Sequence, residues 1–231
     1  MQRLTLLTLL VLFIAIGNCS NSGYFEQYDA FLQKYVSTEG RVNYKAISKN
    51  SINQIVQEML AYVPDTKNTL DIKSHVINVY NAVTIQLVVN NKSIKSIMDL
   101  DGGKTWDVKR IKYKGEMYSL NELENNLLRK IYNDPRIHFA LNCAARSCPP
   151  LYNRAFTSQN LEAQLNDRTI KYLQRYVHQN EVGNIELNKI FDWYKEDFGD
   201  LHKFINTYRP QKLSTKARIE YVEYDWRLND L

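Results

Sequence analysis

The sequence predicts an α+β fold: a helix-rich single domain packed around a small, mostly antiparallel sheet. Three observations lead there. Long stretches place apolar residues at 3–4 spacing, the period of one helix face. Strand-like alternation is confined to a few short runs, well separated along the chain. No repeat, low-complexity tract or proline–glycine linker divides residues 24–231, and a hydrophobic content of 44% suits one core of ordinary size.

Taken in order, residues 24–36 put Phe25, Tyr28, Phe31, Leu32 and Tyr35 on one helical face, and Gly40 stops that run. Residues 41–44 are a short extended piece. A second amphipathic helix covers 52–62 and ends ahead of Pro64. Ser74 opens a third, strongly apolar helix that runs to about Asn90. Residues 93–100 form a short helix or turn, and 101–103 a loop. Across 110–118, Ile111, Tyr113 and Met117 alternate around Lys114 and Gly115, which reads as a hairpin. Ser119 and Glu122 make a capping box for a helix over 119–132, and Asp134-Pro135 ends that element. Residues 136–143 read as a strand. A long helix covers 158–178 and a short strand 184–187. Helices over 188–197 and 200–208 are separated by Gly199, and 218–228 is extended.

The N-terminus is a targeting segment. Residues 1–18 have the form of a lipoprotein signal peptide: Arg3 supplies the positive start and residues 4–16 the apolar run, too short to span a bilayer comfortably. Ile16-Gly17-Asn18 lead into Cys19, the expected lipidation site, although Asn18 is unusual before such a cysteine. Residues 19–23 serve as a short tether. The expected partner is a membrane, reached through the N-terminal lipid anchor, and the expected location is the bacterial cell envelope, as an outer-membrane or periplasmic lipoprotein. An ordinary secreted protein and an uncleaved anchor are the alternatives. Losing Arg3 with the signal takes the net charge from +5 to +4. Five basic residues between Lys104 and Lys114 are diluted by Asp107 and Glu116, so the pattern argues against nucleic-acid binding.

Chemistry-bearing residues concentrate between Asp134 and Leu151. Strand parity sends Ile137, Phe139, Leu141 and Cys143 to a core face and His138, Ala140 and Asn142 to the other. Cys148 then stands on a loop stiffened by Pro149 and Pro150, with Arg146 near enough in sequence to favour a thiolate. The cysteine pair admits three readings: a Cys143–Cys148 disulfide, one reactive thiol with His138 as base, or two inert thiols. The spacings do not match the usual zinc pairs, and no metal or other cofactor is expected. Asn78 and Asn81 share one face of an apolar helix, as amides that tie down an irregular loop or support a site. Glu124 lies on an apolar stripe with Leu127, Leu128 and Ile131. A buried ion pair with Arg129 or Arg146 is its plain explanation, and a catalytic acid the sharper one.

These residues carry a resemblance. Asn78-Val79-Tyr80-Asn81-Ala82, Ser119-Leu120 with Leu123-Glu124, Leu128-Arg129, residues 134–141 and Cys148-Pro149 stand in the order found in the domain of unknown function 547 family. Asp192-Trp193-Tyr194, Asp197-Phe198 and Tyr224-Asp225-Trp226 with Leu228-Asn229 are similar to that family's C-terminal signature. The resemblance implies a fold and an exported location more than an activity. Members like this chain commonly place a histidine after the glutamate matching Glu124, whereas this chain has Asn125. If that histidine is a base, His138 has to serve here.

Two function classes follow. One is a thiol-dependent hydrolase or acyltransferase using Cys148 or Cys143, with His138 as base and Asn81, Asn142, Glu124 or Asp225 orienting it. The other is a binding or scaffold module whose Cys143–Cys148 loop is pinned by a disulfide or by hydrogen bonds. Asn125 and the oxidising compartment favour the second.

Overall fold

The structure, a computed structural model, describes residues 23–231. The expected signal peptide and Cys19 lie outside the described residues. Three helices, α1 (Gly23–Tyr35), α2 (Lys49–Ala61) and α3 (Thr69–Asn90), build the N-terminal half. α1 buries Tyr28, Phe31 and Leu32, and α2 buries Ile52, Ile55, Val56 and Met59. α3 is rich in apolar residues and buried almost without a break from Lys73 to Val89, the condition of a helix with no solvent face. It begins at Thr69 rather than at Ser74. The Asn68 side chain accepts the Leu70 and Asp71 N–H groups and caps it, while Ser74 sits inside, its hydroxyl donating back to the Asp71 carbonyl.

β1 (Ile111–Tyr113) and β2 (Glu116–Tyr118) form the expected antiparallel hairpin. Its turn places both Lys114 (φ 49°) and Gly115 (φ 86°) in the left-handed region that two-residue hairpins require. α4 (Leu120–Glu122) starts on the Ser119–Glu122 capping box. The helix then widens into a π-helical stretch, Leu123–Arg129, before α5 (Lys130–Tyr132) closes it. The wide turn changes the phase of the apolar stripe. Leu123, Glu124 and Leu128 are buried, whereas Ile131 is 59% exposed.

The largest departure from expectation is at residues 136–143, where no strand forms. Pro135–Phe139 is a 3₁₀ helix. Asp134 caps it by accepting the Arg136 N–H, and Pro135 occupies the first turn, where a missing N–H costs nothing. Asp-Pro ends one element and starts the next. Alternation does not sort this segment into faces: Ile137, His138, Phe139, Ala140, Leu141 and Asn142 are all buried. Two cores meet here. Ile137, Ala140 and Leu141 join the core under α1–α3, while Phe139 packs into a second one against Tyr172, Phe191 and Phe198.

That second core is enclosed by α6 (Leu161–Tyr176), β3 (His178–Gln179), β4 (Ile185–Leu187), α7 (Ile190–Trp193), α8 (Lys195–Phe198), α9 (Leu201–Tyr208) and β5 (Ile219–Tyr221). β3 and β4 pair antiparallel, and β4 and β5 parallel. The fold is therefore helix-rich α+β, with its strands in two small sheets, one antiparallel and one mixed. After β5 the chain returns to the first core through single bridges, Ser96 to Arg227, Ala145 to Leu228 and Val42 to Asp230. This return carries Tyr224 and Trp226 past the residues that follow the 3₁₀ helix.

Candidate functional site

The segment after the 3₁₀ helix is held by buried amides. Asn81 of α3 donates to the Ala140 carbonyl at 2.9 Å and accepts the Asn142 N–H at 2.9 Å. The Asn142 side chain donates to the Pro149 carbonyl and accepts the Ala144 N–H, closing the loop on itself. Ala144, a fully buried non-glycine residue, adopts φ +62°. Such a conformation persists only where surrounding bonds over-determine it; here Asn142 binds its N–H and the Asn229 N–H binds its carbonyl. Asn78 makes the equivalent pair of bonds to Phe156, farther along the chain.

Cys143 and Cys148 are free thiols, so of the readings the sequence leaves open the disulfide is not formed, and hydrogen bonds hold the loop. The Cys143 N–H donates to Cys148 Sγ at 2.9 Å, and Cys143 Sγ lies 3.1 Å from the Tyr224 hydroxyl. The assignment by strand parity is reversed. Cys143 is the half-buried cysteine and Cys148 the buried one, because the left-handed turn at Ala144 swings the chain. The Cys148 thiol bonds the Cys143 sulfur; together with the Tyr224 hydroxyl and the Ala145 N–H it outweighs burial and holds the Cys143 thiol below its ordinary pKa. Burial pushes the Cys148 thiol up. Arg146 does not contribute to this: it reaches the Leu228 carbonyl and lies 3.6 Å from Asp230.

Beside the thiols stands a charged cluster. His138 Nε2 is 2.6 Å from Asp197 Oδ2, and its Nδ1 is 4.0 Å from Glu124 Oε1. The ring stacks on Tyr194 at 4.1 Å, and the Arg129 guanidinium covers the same tyrosine at 4.7 Å. Arg129 grips Asp197 with two N–H groups, at 2.6 and 3.0 Å. The His138 bond, then the Arg129 bonds, hold the Asp197 carboxyl well below the usual range against the opposing effect of burial. The expected ion pair of Glu124 with Arg129 or Arg146 does not form, since both arginines have other carboxylates as partners. Arg129 also donates to Asn125 Oδ1, which fixes the residue standing where similar chains have histidine. Neither ring nitrogen of His138 bonds to a cysteine sulfur; Tyr224 takes the place beside Cys143 that His138 was expected to fill.

The thiols and part of this cluster line one cleft of about 350 Å³. Glu124, His138, Cys143, Cys148, Tyr80, Tyr194 and Tyr224 contribute to its wall, as do all three tryptophans of the chain, Trp106, Trp193 and Trp226. The indoles pack on one another and on Tyr224: Trp106 and Trp226 at 5.8 Å, Trp193 and Trp226 at 5.9 Å, Tyr224 and Trp226 at 4.6 Å. Asp225, expected to orient a base, turns its carboxylate to Arg227 instead, and its N–H to the Ser147 hydroxyl. Among the described residues no group of three His, Cys, Asp or Glu is arranged to hold a metal ion. Asp197 and Tyr224 were not singled out as site residues from the sequence. The one signal for both was their membership of the C-terminal motifs.

The family model described as "Protein of unknown function, DUF547" matches residues 66–173, from just ahead of α3 into the last turns of α6. No curated protein and no solved structure matches the chain. The matched stretch holds Asn78, Asn81, Glu124, His138, Cys143 and Cys148, while Asp197, Tyr224, Trp193 and Trp226 lie beyond it. Residues 66–173 are therefore similar to the DUF547 family, whose members are described as proteins of unknown function.

Proposed function

We propose that the cleft is a thiol-dependent active site for acyl transfer or hydrolysis, with Cys143 as nucleophile, His138 as acid–base and Asp197 as the positioning residue. One observation supports this above the others: the Cys143 sulfur lines the cleft, on an over-determined left-handed turn, amid donors that favour its thiolate. In the reaction the sulfur bonds to the acyl carbon and the thiol proton passes to His138. The carbon–leaving-group bond breaks, and His138 gives that proton to the departing group. Water then bonds to the thioester carbon and gives one proton to His138; the carbon–sulfur bond breaks, and His138 passes that proton to the departing sulfur. Asp197 keeps Nε2 engaged and leaves Nδ1 for the cleft side.

Iodoacetamide tests this. Wild type should alkylate at Cys143 faster near neutral pH than free cysteine does, and Cys143→Ser should lose that fast phase while Cys148→Ser keeps it. Alkylation no faster than free cysteine would sink the enzyme reading. A binding module is then the reading that stands, and a specific observation favours it: His138 bonds to Asp197, and no hydrogen bond joins it to either thiol. We also propose that Cys19 carries a lipid that holds the domain at the cell envelope. Cys19→Ser protein recovered in the membrane fraction as fully as wild type would refute that.

A further inference from the structure

We infer that the cleft takes a ligand bearing a positively charged alkylammonium group, seated between Glu124 and the tryptophan wall. This rests on the cleft being a ligand site, and is independent of whether Cys143 reacts. The chain has 30 Lys and Arg against 25 Asp and Glu. Yet no lysine or arginine is among the residues lining the cleft, where Asp107 and Glu124 supply two carboxylates. In a basic protein the sign is thus reversed at the surface that also gathers all three tryptophans.

Glu124 is the sharper half of the argument. It is only 5% exposed, it lines the cleft, and among the described residues no lysine or arginine pairs with it. The Tyr194 hydroxyl is directed at it, and His138 Nδ1 lies 4.0 Å away. The nearest guanidinium, on Arg129, is taken by Asp197 in a two-pronged bond. Arg129, Asp197, His138 and Glu124 together sum to one negative charge whenever His138 is neutral, and Asp107 at the rim adds a second. A buried carboxylate without a matched cation is costly to the fold. An ammonium group entering the cleft would supply that match and would lie against the faces of Trp193, Trp226 and Tyr224, whose electron-rich surfaces attract cations. An anion would meet two carboxylates and no counter-charge. An uncharged group would gain the aromatic contact and leave Glu124 as it is.

The three tryptophans supply the readout, through quenching of intrinsic fluorescence in the full-length protein. The probes are tert-butylammonium, tert-butanol and pivalate, which share a shape and differ in charge. Saturable quenching by tert-butylammonium is expected about tenfold tighter than by tert-butanol, with none by pivalate. Glu124→Gln should bring the cation to the level of the alcohol without changing the alcohol's own affinity. Asp107→Asn, at the exposed rim, should lower cation affinity by a smaller factor and serves if Glu124→Gln does not fold. Equal quenching by all three probes, tighter binding of pivalate, or no saturation by the cation up to about 100 mM overturns the inference. Cys143→Ser should keep the charge preference. An unreactive Cys143 in a protein that still prefers the cation therefore removes the thiol reading alone, and a reactive Cys143 in a protein blind to charge removes this one alone.

Discussion

Replacing Asn81 by alanine should uncouple the cysteine turn from α3. The Asn81 amide is 2% exposed and holds two backbone groups, the Ala140 carbonyl and the Asn142 N–H, both in buried residues. Truncation leaves these two groups without a partner. Each buried group left unsatisfied costs about 1–3 kcal/mol, so the loss from the two is roughly 2–6 kcal/mol. Against a typical total of about 5–15 kcal/mol this is a large fraction. Urea unfolding followed by tryptophan fluorescence should show the midpoint falling by about 1–2 M at nearly unchanged slope. Asn78→Ala is the control, because it orphans an equivalent pair of groups on Phe156. It should cost a similar amount. The two variants should part company at the thiol. Asn142 immediately precedes Cys143, so Asn81→Ala should change the alkylation rate of Cys143 severalfold while Asn78→Ala leaves it alone. A loss below about 1 kcal/mol, or equal effects of the two variants on alkylation, would refute the reasoning.

Other perturbations test separate parts of the fold. Burial acts to raise the Asp134 carboxyl, but the Arg136 and Lys73 bonds outweigh it and hold it at about 2. Its folded pKa is below its unfolded one, so its contribution of about 2 kcal/mol is complete above about pH 5 and is lost as pH falls through 4 toward 2; Asp134→Asn should remove that acid limb from a plot of urea midpoint against pH. His75 is fully buried, and burial, then Lys114, pushes it down to about 3. Its folded pKa is also depressed, so stability should fall by up to about 4 kcal/mol as pH drops from 6.5 to 3, a limb that His75→Gln should abolish. Tyr224→Phe removes one donor from the Cys143 sulfur, and alkylation at neutral pH should slow about threefold to tenfold; an unchanged rate would mean that Tyr224 does not tune the thiol. Gly40 has φ +78°, and a Cβ there would lie 2.5 Å from Pro150 Cβ. Gly40→Ala should therefore cost at least about 2 kcal/mol in the same unfolding assay.

The helical frame is legible in the sequence because α1 and α2 carry their apolar residues on one face, and α3 carries a long run of them. Tyr28, Phe31 and Leu32 in α1 and the Ser119–Glu122 box ahead of α4 are local signals, and local forces decide them. The 3₁₀ helix at Pro135–Phe139 is harder, since both faces of the segment are buried and its alternation of residue types carries no information about exposure. The better signal was Asp134-Pro135 read as a start instead of a stop. β3, only two residues long, has no pattern of its own and exists because β4 offers it an edge. At the site, residue types in a single segment pointed to Cys143, Cys148 and His138. Their partners could not be read from that segment, because Asp197 lies 59 residues and Tyr224 81 residues away in the chain.

Two local irregularities converge on the cleft, and each places one of its polar groups. A regular α-helix over 123–129 would keep Glu124, Leu128 and Ile131 on one stripe. The π-helical turn instead exposes Ile131 and leaves Glu124 buried at the cleft wall. A right-handed backbone at residue 144 would carry Cys143 onward with the core residues before it. The left-handed Ala144 instead turns the Cys143 sulfur to Tyr224 and the cleft. Neither irregularity is the least costly local conformation for its residues, and neither is loose. The π turn is anchored by Arg129 to Asp197, and the left-handed turn by Asn142 and Asn229. A scaffold needs only that the loop be held, which regular geometry would achieve at lower cost. Here the backbone departs from its preferred geometry on two separate elements, and both departures deliver a buried carboxylate or a thiol to the same 350 Å³ of space. That convergence weighs toward a site selected for what it contacts over one left behind by packing.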